Sequence, residues 1–316
     1  MKTVYTTTLM ITVVLMLLIP LCAARRVPAA DKTEQVLSGQ VAKGQDRVKV
    51  MEKETGSIAE YSLNDYLFGV VSAEMPALYE NEALKAQAVA AYTYLLCKTE
   101  SNVAEDYDIT DDYTVDQAFI TPEKAREKWE NSADEYENKI RSAIDAVLYK
   151  KITYDGRPIS AVYHAISGGK TENASDIWGG EYPYLVSVDS SFDKLAENYL
   201  STATFTAEEL KNALSSVAEL VDTGSDCFSD IKRTASGSVM TLSVSGQTVK
   251  GSEIRKILGL KSADFDVVFV EGTYTFTVRG YGHGIGMSQN GANYMAMQGK
   301  TYEEILKHYY SGCQIE

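Results

Sequence analysis

Every second residue from Gly280 to Gly286 is a glycine, in the run Gly280-Tyr281-Gly282-His283-Gly284-Ile285-Gly286-Met287-Ser288-Gln289. The run follows Tyr274 to Val278, whose alternation reads as a strand, and leads into two short helical stretches, the last opened by a capping box of Thr301 and Glu304. Glycines at that density let the backbone pass close to a ligand or to another segment. They do not make a nucleotide loop, because G-x-G-x-x-G would need its last glycine at Ile285 or Met287, and no Lys-Ser/Thr pair follows to form a P-loop. His283, Ser288 and Gln289 supply the turn's donors and acceptors, and a lone His here has a structural reading beside the catalytic one.

The rest of the chain mixes helical and strand signals without a repeat, which predicts an α+β fold. Asn81 opens a helix whose Leu84, Ala88, Ala91 and Leu95 recur on one face. Thr121, Pro122 and Glu123 start a second that runs through Ile140, Ile144 and Leu148, with a break near Asn131-Ser132. Pro158 to Ser167 is β-like and ends at Gly168-Gly169. Thr206 and Glu209 form a capping box with Phe205 and Leu210 at the staple positions, and Val239 to Val249 reads as a hairpin about Ser245-Gly246. Ser252 is the expected cap of a helix carrying Ile254, Ile257 and Leu258 that Gly259 ends. The expected organisation is a membrane anchor at 1–25, a juxtamembrane linker at 26–47 and a two-lobed ectodomain at 48–316, with about 201–271 as a small scaffold lobe within it.

The anchor rests on Val4 to Cys22, a nearly uncharged apolar run close to the roughly 20 residues that a bilayer-crossing helix needs. A cleaved signal peptide is the competing reading, since Leu21-Cys22-Ala23-Ala24 offers small residues, but the run exceeds the roughly 7–15 residues of a typical apolar signal core. Lys2 and the amino terminus oppose Arg25 and Arg26, so charge alone does not orient the span. The formal net charge of −14 gives no field to gather a phosphate backbone, which argues against nucleic acid as a partner. Cys97, Cys227 and Cys313 are too scattered for a disulfide framework; a Cys227–Cys313 pair and three separate thiols both stay open.

Two further stretches carry chemistry. In Val70-Val71-Ser72-Ala73-Glu74-Met75-Pro76 a carboxylate sits among small and apolar residues, where desolvation would raise its pKa and suit it to exchange a proton near neutrality. The plainer reading is a Glu accepting backbone N–H groups at a turn. Glycosidases pair two carboxylates, and no second one stands nearby in sequence, although Asp65, Glu82 and Glu172 could approach in the fold. Along the Asn81 helix, Lys85, Val89 and Tyr92 share a face, which also reads as a solvated Lys beside a core aromatic.

Glu74-Met75-Pro76, the run Glu82-Ala83-Leu84-Lys85-Ala86-Gln87-Ala88-Val89-Ala90-Ala91, Tyr163 to Glu172, and Gly282 to Ala292 resemble, in order and spacing, the stage II sporulation protein D family, over nearly the whole chain. The resemblance implies a membrane-held lytic transglycosylase of sporulation. It would act on peptidoglycan glycan strands stripped of stem peptides by an amidase partner, among other engulfment membrane proteins, with its catalytic domain outside the cytoplasm. It implies Glu74 as the single catalytic acid and base, and Lys85, Tyr92, Ser167, His283, Ser288 and Gln289 as lining a substrate groove, with no cofactor.

The chain departs from the family twice. Ala90-Ala91-Tyr92-Thr93-Tyr94 stands where the family usually reads Ala-Ala-Arg-Thr-Tyr, so an arginine expected beside the catalytic Glu is a tyrosine, with no positive charge to orient it. Some relatives carry a zinc-binding run of two His and two Cys after this helix; the matching positions here are Ala104, Thr110, Val115 and Asp116, so no structural zinc is expected. The acidic cluster around them lacks the regular spacing of a calcium loop.

Overall fold

The computed structural model describes residues 46–102, 104–219 and 226–316, so the apolar run Val4 to Cys22 and nearly all of the expected linker lie outside the described residues. Among the described residues no helix is long and apolar enough to cross a membrane. The fold is mixed α+β, with helices and several small sheets.

β1 (Arg47–Met51) and β2 (Ile58–Ser62) form an antiparallel hairpin, and β3 (Ile109–Thr110) adds to β1 in parallel. Ser62 accepts the Asp65 N–H at 3.1 Å and so caps α1 (Leu63–Glu74), which buries Tyr66, Leu67, Phe68, Val70 and Val71. α2 (Asn81–Ser101) is buried nearly all round; Ala83, Ala86, Ala88, Ala90 and Ala91 let its neighbours approach closely. α3 (Pro122–Trp129) starts as expected, with Thr121 accepting the Lys124 N–H at 3.3 Å. The break falls at Glu130, whose φ of 48° lies in the left-handed region, and the chain resumes as α4 (Ala133–Asp145).

The β-like stretch from Pro158 to Ser167 is mostly irregular. β4 (Ile152–Tyr154) pairs with β5 (Arg157–Pro158) and with the closing β14 (Gln314–Ile315), and beyond them only β6 (Tyr163–His164) joins a ladder. Its partner is not a neighbouring hairpin but β13 (Met287–Ser288), reached in parallel from across the chain. α5 (Ala174–Trp178) follows.

β7 (Leu200–Thr206) leads into α6 (Ala207–Leu214) through the expected capping box. β8 (Phe228–Arg233), β9 (Val239–Val244) and β10 (Gln247–Lys250) form one antiparallel sheet; Ser245 and Gly246 turn the β9–β10 hairpin with φ of 49° and 86°. α7 (Gly251–Leu258) starts two residues earlier than a cap at Ser252 would give, with Lys250 at the cap, and its first residue, Gly251, lies against Val239 with no room for a side chain. Gly259, left-handed, ends it. β11 (Phe265–Val270) and β12 (Thr273–Arg279) complete a sheet of order β11-β12-β7. The chain closes with α8 (Gln289–Met297), capped by Ser288, and α9 (Tyr302–Tyr309), begun by the Thr301–Glu304 capping box.

The apolar interior divides in two. One cluster gathers α1, α2, α4, α9 and the strands around them; the other gathers Leu210, Leu242, Ile254, Phe265, Tyr274 and Phe276 from residues 207–278. Cys227 belongs to the second and Cys313 to the first, and they form no disulfide.

Candidate active site

Glu74 is the last residue of α1, where Met75 turns extended and Pro76 follows. Its carboxyl is half-buried among the ends of three segments. Oε1 accepts the Ala118 backbone N–H at 2.8 Å, and Oε2 accepts from Gln289 Nε2 at 3.3 Å. Burial pushes its pKa up; the two hydrogen bonds oppose this, and no neighbouring cation adds to them. The carboxyl can therefore hold a proton at a higher pH than a solvated Glu and still release it.

Beneath it lies a neutral polar layer. Gln117 Nε2 donates to Tyr66 Oη at 2.5 Å and to the Ala91 carbonyl at 3.3 Å, while Tyr163 Oη donates to Gln117 Oε1 at 2.7 Å. These bonds fix the segment that delivers Ala118. Burial raises the pKa of both tyrosines, so they stay neutral hydroxyls.

The glycine turn meets β6 from the other side. A side chain at Gly286, φ 73°, would run into the Val162 carbonyl, and a Cβ at Gly282, φ 117°, would stand 2.6 Å from that of His164. Close backbone approach, rather than ligand approach alone, accounts for these glycines. Asp193, missed in the sequence because it stands in an unremarkable Ser-Ser-Phe-Asp-Lys stretch, ties the turns together. Fully buried, it accepts from Ser167 N–H at 2.9 Å, Ser190 Oγ at 2.9 Å, Ser288 Oγ at 2.9 Å and Asn290 Nδ2 at 3.1 Å.

His283 accepts the Ile285 N–H at Nδ1, 3.1 Å away, and His164 donates from Nδ1 to the Ile285 carbonyl at 3.1 Å. The rings lie 5.8 Å apart, and burial lowers their pKa values to about 3 for His283 and about 4 for His164, so both are neutral near pH 7. Trp178, 46% exposed, stands 5.5 Å from the His283 ring. Glu172 is no second carboxylate for Glu74: its Oε1 accepts the Ser238 N–H at 3.3 Å, its backbone N–H binds the Gly284 carbonyl at 2.7 Å, and burial raises its pKa.

The structure thus brings Gln289 to Glu74, and gathers Ser167 and Ser288 on Asp193 with His283 on the same turn system. Ser167 and Ser288 are wholly buried, their hydroxyls taken up by the Gly169 N–H and by Asp193, so neither opens onto a groove, and two further predicted residues are also engaged within the fold. Lys85 Nζ pairs with Glu82 at 2.6 Å. Tyr92 is in the packed core, 4% exposed, its ring edge-on to Tyr149 at 6.3 Å, so it offers no open face to a sugar. Gln87, five positions earlier, is the α2 residue that turns toward the site, and its amide accepts from Gln289 at 3.4 Å. Of the positions matching the zinc run, Asp116 holds Lys98 at 2.6 Å and the Thr110 N–H at 3.1 Å, and Val115 is exposed. Nearby acidic groups accept backbone N–H groups of β1 and the turn after it, Asp108 from Lys49 and Asp111 from Lys53. A cavity of about 530 Å³ opens near the far end of α2, lined by Arg47, Glu60, Thr99 and Asn102, away from Glu74.

Known proteins resemble this chain along most of its length. The family described as "Stage II sporulation protein" matches residues 51–154, which include Glu74, Gln87 and Ala118. Stage II sporulation protein D of Bacillus subtilis (strain 168) is 39% identical over 295 residues, covering 91% of this chain and 82% of its own length. Its counterpart in Bacillus amyloliquefaciens is 39% identical over 272 residues, 85% of this chain and 78% of its own. A protein of Bacillus subtilis named "Amidase enhancer" is 30% identical over 79% of this chain but only 40% of its own length. Likeness of that extent along most of both chains makes this protein a member of the stage II sporulation protein D family.

Proposed function

We propose that this chain is a lytic transglycosylase that cuts peptidoglycan glycan strands between N-acetylmuramic acid and N-acetylglucosamine. The observation that carries the reading is Glu74: a half-buried carboxyl with raised pKa, two N–H donors and no cation. Such a group can act first as acid and then as base. It protonates the glycosidic oxygen as the C1–O bond breaks; the muramic C6 hydroxyl then attacks C1 and returns its proton to Glu74. The products are a free hydroxyl end and a 1,6-anhydro end, with no water consumed, which suits a site holding one carboxylate. Trp178 and His283 would border the groove. The substrate would be strands freed of stem peptides by an amidase, and the apolar run Val4 to Cys22 would hold the enzyme at the membrane with other engulfment proteins.

A second reading is a glycan-binding or amidase-stimulating protein of the same fold with little turnover. The relative named "Amidase enhancer" favours it. Mass spectrometry of amidase-stripped strands incubated with the full-length chain separates the two. Anhydro ends that vanish in Glu74→Gln support the transglycosylase; strands bound but uncut by the wild type would establish the second reading instead.

A further inference from the structure

Among the described residues with an unpartnered buried polar atom, Gln87 is the one linked through Gln289 to Glu74. It is wholly buried; its Oε1 accepts from Gln289 Nε2 at 3.4 Å, while its Nε2 has no hydrogen-bond partner. A buried amide N–H left unpaired is disfavoured and calls for a reason. Gln289, itself 4% exposed, passes the link on to Glu74 Oε2 at 3.3 Å. The three side chains form a line, Gln87 to Gln289 to Glu74, drawn from α2, α8 and α1.

As it stands, the line suits an ionised Glu74, since Gln289 presents N–H to the carboxylate. A protonated Glu74 needs an acceptor instead. The Ala118 N–H at 2.8 Å is backbone and cannot turn, which keeps Oε1 an acceptor and leaves Oε2 to carry the proton. A half turn of a terminal amide exchanges its oxygen and nitrogen without changing its shape. With both amides turned, Gln289 accepts from Glu74 Oε2–H and from Gln87 Nε2, and the group of Gln87 left over is a carbonyl, which tolerates an unpaired site better than N–H does. We propose that Gln87 and Gln289 are an amide pair that reverses with the protonation state of Glu74, with Gln87 the positioning residue that holds Gln289 in either sense. The proposal rests on Glu74 cycling between acid and base.

The other titratable groups around Glu74 do not compete for this role. Tyr66 on α1 and Tyr163 on β6 feel its charge but are neutral and bonded to Gln117. Lys128 on α3 reaches the Ser72 carbonyl at 3.4 Å, and Lys85 on α2 is paired with Glu82.

Hydrogen bonds to the charged form are about twice as strong as those to the neutral one, so loss of either amide costs the carboxylate more than the acid. The test is a carbon-13 NMR titration of the Glu74 carboxyl in the full-length chain. Gln289→Leu should raise its midpoint by about one pH unit and Gln87→Leu by about half a unit, with the double variant no higher than Gln289→Leu alone. Loosened packing would do the reverse, since water admitted to the site moves the midpoint down toward that of a solvated Glu. An unmoved or lowered midpoint in Gln87→Leu, or additive shifts in the double variant, would overturn the pairing. The titration reads Glu74 without turnover: a wild type that makes no anhydro ends but shows these shifts defeats the transglycosylase reading and keeps the amide pair.

Discussion

Glu74 and Asp193 are both drawn away from water near the glycine turn, and among the described residues neither forms an ion pair. Asp193 receives donors from Ser167, Ser190, Ser288 and Asn290, all within 3.1 Å. Glu74 receives two, one of them at 3.3 Å, and burial dominates its proton affinity. The saturated carboxylate fastens chain to chain and has no capacity left for a reaction. The under-supplied one keeps lone pairs and a raised proton affinity available. Burial alone does not mark a reactive acid; burial with too few donors does.

Exchanging the two roles experimentally is the strongest attack on that contrast. Glu74→Gln should cut release of anhydro ends by about 1000-fold while leaving the urea midpoint of unfolding unchanged or slightly raised, since a neutral amide is easier to bury than an ionisable carboxyl. Asp193→Ala should behave oppositely: orphaning several buried donors costs about 3–5 kcal/mol in urea unfolding. If Asp193→Ala unfolds like the wild type, the hub is decorative and the contrast collapses.

The two histidines add a dependence on pH. In the native chain His164 takes a proton only near pH 4 and His283 only near pH 3. An unfolded histidine takes one near pH 6.5, so between about 6.5 and 4 the unfolded state binds more protons and stability falls with the pH, by about 2–3 kcal/mol for His164. His164→Gln should flatten that slope in urea unfolding measured across the window; an unchanged slope would place the acid sensitivity elsewhere. The smallest effect belongs to Lys85→Ala, whose partly exposed pair with Glu82 should be worth at most about 0.5 kcal/mol. A tenfold loss of product release at unchanged stability would show that Lys85 leaves Glu82 to meet the glycan.

The parts of this fold that could be read from the sequence are those whose cause is local. Thr121, Thr206 and Thr301 each cap the helix that follows them, and Ser245-Gly246 turns its hairpin, because the bonds that decide these features span a few residues. The β6–β13 ladder could not be found that way: each strand is two residues long and finds its register only against a partner more than 120 positions distant. The site divides along the same line. Glu74, Gln289, Ser167 and Ser288 carried a family pattern, whereas Asp193 acts mainly through Ser167, Ser288 and Asn290, gathered from two distant segments. Tyr92 illustrates the helical version of the limit. Five positions after Gln87 means roughly 140° round α2, so the two face different neighbours, Tyr149 for one and Gln289 for the other.

The 215 residues that separate Glu74 from Gln289 also set an order of events. A chain made from its amino terminus can form α1 and bring up the Ala118 N–H early, but Oε2 of Glu74 gains its partner only when nearly the whole polypeptide has been made. A nascent or prematurely ended chain lacks both that amide and the glycine turn that carries it. The surroundings of Glu74 are therefore completed last, by a residue from the final tenth of the chain.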